Sequence, residues 1–178
     1  MLRRLTLTMA LALVATLALA PAAMAQGKIS GPMDLTWNPC YGAPPSEEMP
    51  DWIGTVELDG NTYDVLFFNV GVGRPPTEPV AETVVSASEI WALYDGLDLT
   101  FDEECAISTF DGDAVMWGHD YGLMDLAVGP EFVLRGWVIE ANDDFADLVG
   151  EDVVISGVVE MDAETGAPLA APGEFVVG

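Results

Sequence analysis

Apolar residues after residue 50 occur in short runs that are rich in β-branched and aromatic side chains and are separated by turn-forming residues. The clearest case is "WIGTVELDGNTYDVLFF" (52–68), in which two such runs flank Asp59-Gly60. An aspartate–glycine pair readily adopts the positive φ angles that a tight hairpin turn requires. The pattern therefore predicts a β-hairpin that turns at these two residues.

The rest of the chain continues this pattern. The run "ETVVSASEIWALYD" (82–95) lacks the polar face of a surface helix, so its β-branched and aromatic content predicts a strand. Further strands are predicted in "LDLTFDEECAISTF", "AVMWGHDYGLMDLAV", "EFVLRGWVIEA", "EDVVISGVVEMD" and "GEFVV". About eight strands at short spacing predict an all-β domain, either an antiparallel barrel or a sandwich.

Two segments depart from the strand pattern. Residues 26–50 are rich in Pro, Gly and small side chains, which predicts an extended N-terminal arm with one short strand near Met33–Trp37. The segment "NDDFADLVG" has capping residues at its start and a glycine at its end, which predicts a short helix near 142–149. The predicted organisation is therefore an arm followed by a single domain over 51–178.

The first 25 residues have the composition of a secretory signal peptide. Arg3 and Arg4 form a basic region, an apolar stretch runs from Leu5 to Ala20, and Ala23-Met24-Ala25 is a small-x-small cleavage site. A proline interrupts the apolar stretch before it reaches the roughly 20 residues of a membrane span. We therefore predict that residues 1–25 are removed and that the rest is exported to the periplasm or extracellular space, without membrane insertion.

Acidic residues dominate the charge of the predicted mature chain. It keeps all 30 acidic residues but only three of the 5 basic ones (Lys28, Arg74 and Arg135), so its net charge is 3 − 30 = −27. Charge repulsion excludes nucleic acid and anionic membrane surfaces as partners. Because the acids are spread along the whole chain, we interpret them as a solvated, salt-adapted surface, with cation binding as the alternative.

Calcium binding is the most specific form of that alternative. The segment "DGDAVMWGHDYG" begins like an EF-hand loop, but it has Met116 where the loop needs glycine and Gly122 where it needs glutamate. The sequence therefore predicts an aspartate-rich turn here, and it predicts no metal site and no cofactor.

Cys40 and Cys105 are the only cysteines. An exported protein meets an oxidising environment, so the two thiols are predicted to form a disulfide. The alternative is a metal-binding or nucleophilic thiol pair. That alternative has little support, because the chain contains no C-x-x-C motif and His119 is its one histidine.

The C-terminal segment resembles a known kind of small barrel. "FADLVGEDVVISGVV", followed by a loop and "APGEFVV", is similar to the closing strands of the allene oxide cyclase and dirigent-like (calycin-type) barrels, where an F-x-x-x-x-G turn leads into a β-hairpin. Phe145, Gly150, Gly157 and Gly173 carry the resemblance. It implies one antiparallel eight-stranded barrel with an apolar cavity, often assembled into oligomers. None of those families' catalytic residues is found here, so the resemblance implies no activity.

Three predicted strands each have one face that combines a tryptophan with a titratable side chain. Alternate residues of a strand share a face. The resulting sets are Glu89 with Trp91, Trp117 with His119 and Tyr121, and Arg135 with Trp137. If these faces meet inside the barrel, they form an aromatic-walled site for a small molecule. If they point outward, the opposite faces form the core.

The sequence is compatible with three functions. The first is binding of a small apolar or aromatic molecule, with Trp91, Trp117, His119, Tyr121, Arg135 and Trp137 as the candidate ligand-binding residues. The second is a cyclase- or isomerase-type enzyme in which His119 and Glu89 exchange protons with the substrate. The third is a non-catalytic structural or interaction protein, in which the barrel forms a homo-oligomer or serves as a scaffold.

Overall fold

The computed structural model describes residues 29–41, 49–73, 84–125 and 129–178. Their alternating apolar pattern is realised as eleven strands: β1 (Ile29–Trp37), β2 (Trp52–Leu58), β3 (Asn61–Gly73), β4 (Val84–Tyr94), β5 (Asp98–Phe101), β6 (Ile107–Asp111), β7 (Ala114–Asp125), β8 (Glu131–Ala141), β9 (Asp152–Val158), β10 (Glu160–Met161) and β11 (Pro168–Val177). The predicted signal peptide lies outside the described residues.

Eight of these strands form a closed antiparallel barrel. The order around it is β1, β2, β3, β4, β7, β8, β9 and β11, and β11 pairs with β1 to complete the ring. Strand β10 pairs only with β11, and β5 and β6 form a separate hairpin. The all-β barrel prediction is therefore confirmed. Because the barrel is closed, each of its eight strands pairs with a neighbour on both sides.

The predicted hairpin between the first two strands of the domain is also confirmed. Strands β2 and β3 pair from Trp52–Phe67 to Leu58–Asn61. Asp59 and Gly60, which connect them, have φ angles of 50° and 79°. These are the left-handed values that a tight turn of this kind needs.

Two predictions about the flanking segments need correction. Residues 29–37 do not belong to an arm, because they form β1, which lies between β11 and β2 and closes the barrel. The predicted helix near 142–149 is only a 3₁₀ turn at Ala146–Leu148, and no side chain caps it. The described residues contain no helix that is long and apolar enough to cross a membrane.

One half of the barrel interior is filled with side chains. Trp91, Leu93, Met116, Val138 and Phe175 are almost completely buried there, and the rings of Trp91 and Phe175 meet edge to face at 5.1 Å. A second, smaller apolar cluster lies on the outer face of β3 and β4, where Leu66, Ala92 and Tyr94 pack against Leu97 and Leu99 near the β5–β6 hairpin.

Gly118 makes room for this packing. A Cβ atom at this position would collide with the indole ring of Trp91 and the carbonyl oxygen of Trp137. We expect Gly118→Ala to lower the free energy of unfolding by about 2 kcal/mol, because a well-packed core resists added atoms. Urea denaturation of both proteins measures this. Gly129→Ala is the control, since a Cβ there meets no described atom within 4 Å. Equal losses in the two variants would contradict the prediction.

The predicted disulfide is confirmed. Cys40 and Cys105 are joined by a sulfur–sulfur bond, and their Cα atoms are 5.2 Å apart. Cys40 follows β1, and Cys105 lies in the turn between β5 and β6. The bond therefore ties the segment after the first barrel strand to the hairpin outside the barrel.

Candidate functional site

The other half of the barrel interior encloses a cavity of about 390 Å³. Its walls are mostly apolar, and they include Leu35, Phe67, Ala87, Met124, Phe132, Leu134, Ile155, Val159 and Ala171. Three further lining residues, Tyr41, Leu123 and Met161, are exposed at the protein surface. The cavity is therefore open to solvent at this end of the barrel.

Three buried carboxyl groups lie where the cavity meets the filled half of the barrel. We call Asp51, Glu89 and Asp120 the carboxyl belt. Their exposed fractions are 2%, 5% and 0%, respectively. Asp51 and Glu89 line the cavity. A buried carboxylate is costly unless it is paired, so this cluster is the least expected feature of the interior.

Strand register places the belt residues beside one another. Asn69 of β3 lies opposite Glu89 of β4, and Glu89 lies opposite Asp120 of β7. Asp51 precedes β2, and its backbone N–H donates to the carbonyl oxygen of Phe67 at 2.9 Å. Three neighbouring strands and the residue that precedes β2 thus bring polar side chains to one level of the barrel.

The β1–β2 connection holds Asp51 in this position. Asn38 is buried; its backbone N–H donates to the carbonyl oxygen of Asp51, and its side-chain amide donates to that of Pro50. The Asp51 carboxylate accepts hydrogen bonds from the backbone N–H of Trp52 at 3.2 Å and from the side-chain amide of Asn69 at 3.5 Å. These donors partly offset the burial of its charge.

Asp51 and Glu89 act as a pair. Burial raises the pKa of Asp51 to about 6, although its hydrogen bonds oppose this shift. Burial, followed by the charges of Asp51 and Asp120, raises the pKa of Glu89 well above its usual value. A protonated Glu89 donates a hydrogen bond to the Asp51 carboxylate, which raises the pKa of Glu89 further and opposes the rise in the pKa of Asp51.

Asp120 lacks hydrogen bonds of the kind that Asp51 accepts. Neither of its carboxyl oxygens has a hydrogen-bond partner, and its side chain is fully buried on the inner face of β7 beside Glu89. Burial, and then the charge of Asp51, raises the pKa of Asp120 to about 8. Such unpartnered buried acceptors are rare in folded proteins.

Three aromatic side chains lie at the cavity end next to Asp51. We call Trp37, Tyr41 and Trp52 the aromatic rim; all three line the cavity. The ring of Trp37 meets those of Tyr41 and Trp52 edge to face, at 5.1 and 5.0 Å. Burial, and then the charges of Asp51 and Glu89, raises the pKa of the Tyr41 hydroxyl. The charges of the carboxyl belt therefore act on at least this residue of the rim.

No positive charge from the described residues balances the belt. Arg135 is the one basic residue among them, and it is exposed on the outer face of β8. Nor does any group of three His, Cys, Asp or Glu side chains in the described ranges have an arrangement that could hold a metal ion. What the site offers is thus an apolar wall, an aromatic rim and hydrogen-bonding carboxyl groups.

The candidate residues from the sequence do not form one site. Glu89 and Trp91 lie inside the barrel, Glu89 at the cavity and Trp91 in the filled half. The others lie on the outer side of β7 and β8: Trp117, His119, Tyr121, Arg135 and Trp137. The hypothesis that the three mixed faces converge is therefore wrong, because Gly118, Asp120 and Gly122 are the residues of β7 that point inward.

His119 makes contacts typical of a residue on the outer surface. Its Nε2 atom is 2.9 Å from the hydroxyl of Ser88, and its ring lies 5.4 Å from that of Trp137. Trp117 nearby donates from its indole nitrogen to Glu140. Since Glu89 points into the barrel, the wall of the sheet separates it from His119, and the two do not form an acid–base pair.

Sequence reasoning missed Asp51, Asp120 and the aromatic rim as site residues. One signal for Asp120 was present: it is the only charged residue on the β7 face formed by Met116, Gly118, Gly122 and Met124. A charged side chain on an otherwise small and apolar face is worth testing as a buried group. No local pattern marks Asp51, which lies just outside a strand.

Comparison with known proteins adds no relative. No protein-family model matches the chain, and no curated protein or solved structure is significantly similar to it. The resemblance of the C-terminal hairpins to allene oxide cyclase and dirigent-like barrels therefore stays a prediction.

Proposed function

We propose that this protein binds a small, largely apolar molecule in the cavity of its barrel. The observation that carries the proposal is the cavity of about 390 Å³, which falls within the range of roughly 300–1,000 Å³ typical of small-molecule sites. Its apolar walls supply the area that a ligand buries. Asp51, Asn69, Glu89 and Tyr41 supply the few polar groups that orient it.

The site in this proposal differs from the one that the sequence suggested. The aromatic rim takes the place of the tryptophans that the sequence suggested, and Asp51 and Glu89 of the carboxyl belt are the charged anchors. We do not propose a cyclase or isomerase that uses His119 together with Glu89, because the two side chains lie on opposite sides of the barrel wall. The proposed role is binding without chemistry.

The proposed location is outside the cytoplasm, in the periplasm or extracellular space. The Cys40–Cys105 disulfide supports it, because such bonds persist mainly in oxidising compartments. A homo-oligomer is a further proposal. Side chains such as Tyr121, Leu123 and Trp137 expose apolar surface on the outer side of β7 and β8, and native mass spectrometry would give the stoichiometry.

A cavity-filling substitution tests the binding proposal. Ala87→Phe places a ring in the cavity, so we expect it to weaken binding of the neutral probe naphthylmethanol by at least about tenfold in calorimetry. Val133→Phe on the exposed outer face of β8 is the matched control and should leave the affinity unchanged. If the probe does not bind the unmodified protein, or binds all three proteins equally, the proposal is wrong.

A further inference from the structure

We propose that the ligand of this cavity carries a protonated amine, which the carboxyl belt binds while the aromatic rim covers it. This inference rests on the proposed function, because it specifies the chemistry of the molecule that the cavity takes. It concerns an ammonium group on an apolar body, as in an aryl- or alkylamine. An anionic ligand is disfavoured by the three carboxyl groups.

Unpartnered acceptors inside the barrel are the first observation in its favour. Both oxygens of fully buried Asp120 lack a hydrogen-bond donor, and Asp120 lies directly opposite Glu89, which lines the cavity. The belt has many acceptors, and the donors described above are those of Asn69 and the backbone of Trp52. An ammonium group has three donors and no acceptor, so it complements this set better than a hydroxyl, which also adds an acceptor.

Charge balance is the second observation. Three carboxyl groups share one level of the barrel, and the one basic side chain in the described part of the chain is on the outer surface. Like charges at short distance in a low-dielectric interior cannot all ionise, which keeps the belt partly protonated. A bound ammonium group carries one positive charge, so it would balance one ionised carboxylate and would favour ionisation within the belt.

The aromatic rim is the third observation. Trp52 follows Asp51 in the chain, and Tyr41 is close enough for the charges of Asp51 and Glu89 to affect it. Tryptophan and tyrosine rings attract cations through the negative potential of their faces. One end of the cavity thus has two kinds of cation-binding group, aromatic rings and buried carboxylates.

A matched pair of probes tests the inference. Naphthylmethylamine and naphthylmethanol differ only in whether an ammonium or a hydroxyl group is attached to the same apolar body. We expect the amine to bind at least about tenfold more tightly at about pH 8, which equals about 1.4 kcal/mol. Calorimetry measures both affinities. We also expect the amine's affinity to fall as pH decreases from about 8 to below about 6, because Asp120 and then Asp51 take up protons over this range.

Two variants of the carboxyl belt test whether its residues cause the preference for the amine. Asp51→Asn and Glu89→Gln keep the size of each side chain but prevent its ionisation, so both should reduce the amine's advantage while naphthylmethanol still binds. Binding of the alcohol also reports that each variant is folded. Glu57→Gln is the control, because it removes one charge from the exposed outer side of β2 and should keep the full preference.

The possible outcomes distinguish a failure of the amine inference from a failure of the proposal that the cavity binds a small molecule. Equal binding of the two probes, or tighter binding of the alcohol, overturns the amine inference and leaves the cavity as a binding site. If both belt variants still prefer the amine to the alcohol, the amine inference is also overturned. The attraction would then come from other acidic residues of this protein. If neither probe binds, the binding proposal itself fails.

Discussion

Asp120→Asn is expected to stabilise the protein at about pH 8 and to reduce the loss of stability between about pH 4 and about pH 8. The pKa of this buried carboxyl rises from 3.8 to about 8 on folding, mainly because burial disfavours its charged form. Between these values the folded protein binds more protons than the unfolded chain. Stability therefore falls as pH rises through this window.

The size of the effect follows from the shift. One pKa unit corresponds to about 1.4 kcal/mol, so the ionisation of Asp120 lowers the free energy of unfolding by on the order of 5 kcal/mol across the window. Asparagine has nearly the same shape and no charge. The contribution of Asp120 to the slope of unfolding free energy against pH therefore disappears. Glu89 and Asp51, whose pKa values are also raised, account for slope that remains.

Urea denaturation at a series of pH values and constant ionic strength measures this slope. Asp143→Asn is the control, since it removes one charge from an exposed position in a protein that is already strongly acidic. We expect the control to keep nearly the full slope. Identical slopes for Asp120→Asn and the unmodified protein would show that Asp120 is not a buried, protonated carboxyl at neutral pH.

Removal of the disulfide is the second large effect that we expect. The bond between Cys40 and Cys105 closes a loop of 66 residues, one more than their sequence separation of 65. On the chain-entropy model, a cross-link of this length stabilises the folded state by about 4 kcal/mol, because it restricts the unfolded chain. The Cys40→Ser, Cys105→Ser double variant should lose about that much in denaturant unfolding.

The same variant should also weaken ligand binding. Tyr41 adjoins Cys40, and its ring packs against Trp37 in the aromatic rim. Without the covalent link to the β5–β6 hairpin, the rim must be ordered by packing and by the hydrogen bonds of Asn38. Naphthylmethanol affinity at a temperature where the variant is folded measures this. Chemical reduction of the unmodified protein should reproduce both effects, and an unchanged free energy of unfolding would contradict the prediction.

Local signals in the sequence explain which parts of the fold were predictable. The turn at Asp59-Gly60 depends on the φ preferences of two residues, and the strand from Val84 to Tyr94 depends on its own β-branched and aromatic content. Neither needs information from distant parts of the chain. The disulfide was predictable for a different reason, since the chain contains only two cysteines.

Long-range pairing explains the predictions that failed. Pro32 and Gly31 weaken the local strand signal of β1, yet this strand forms because β11, at the other end of the chain, and β2 supply its hydrogen bonds. The segment near 142–149 is the reverse case. It has the local signals of a helix, but only a short 3₁₀ turn fits between β8 and β9, which pair with each other.

The sequence by itself determined the fold class, the main hairpin, the disulfide and the strongly acidic charge, because each depends on composition or on neighbouring residues. It also determined which residues of a strand share a face. Only the tertiary structure decided which face points inward, because strand alternation is symmetric until a partner covers one side. The cavity and the carboxyl belt depend on that choice, since the register of separate strands brings Asn69, Glu89 and Asp120 side by side.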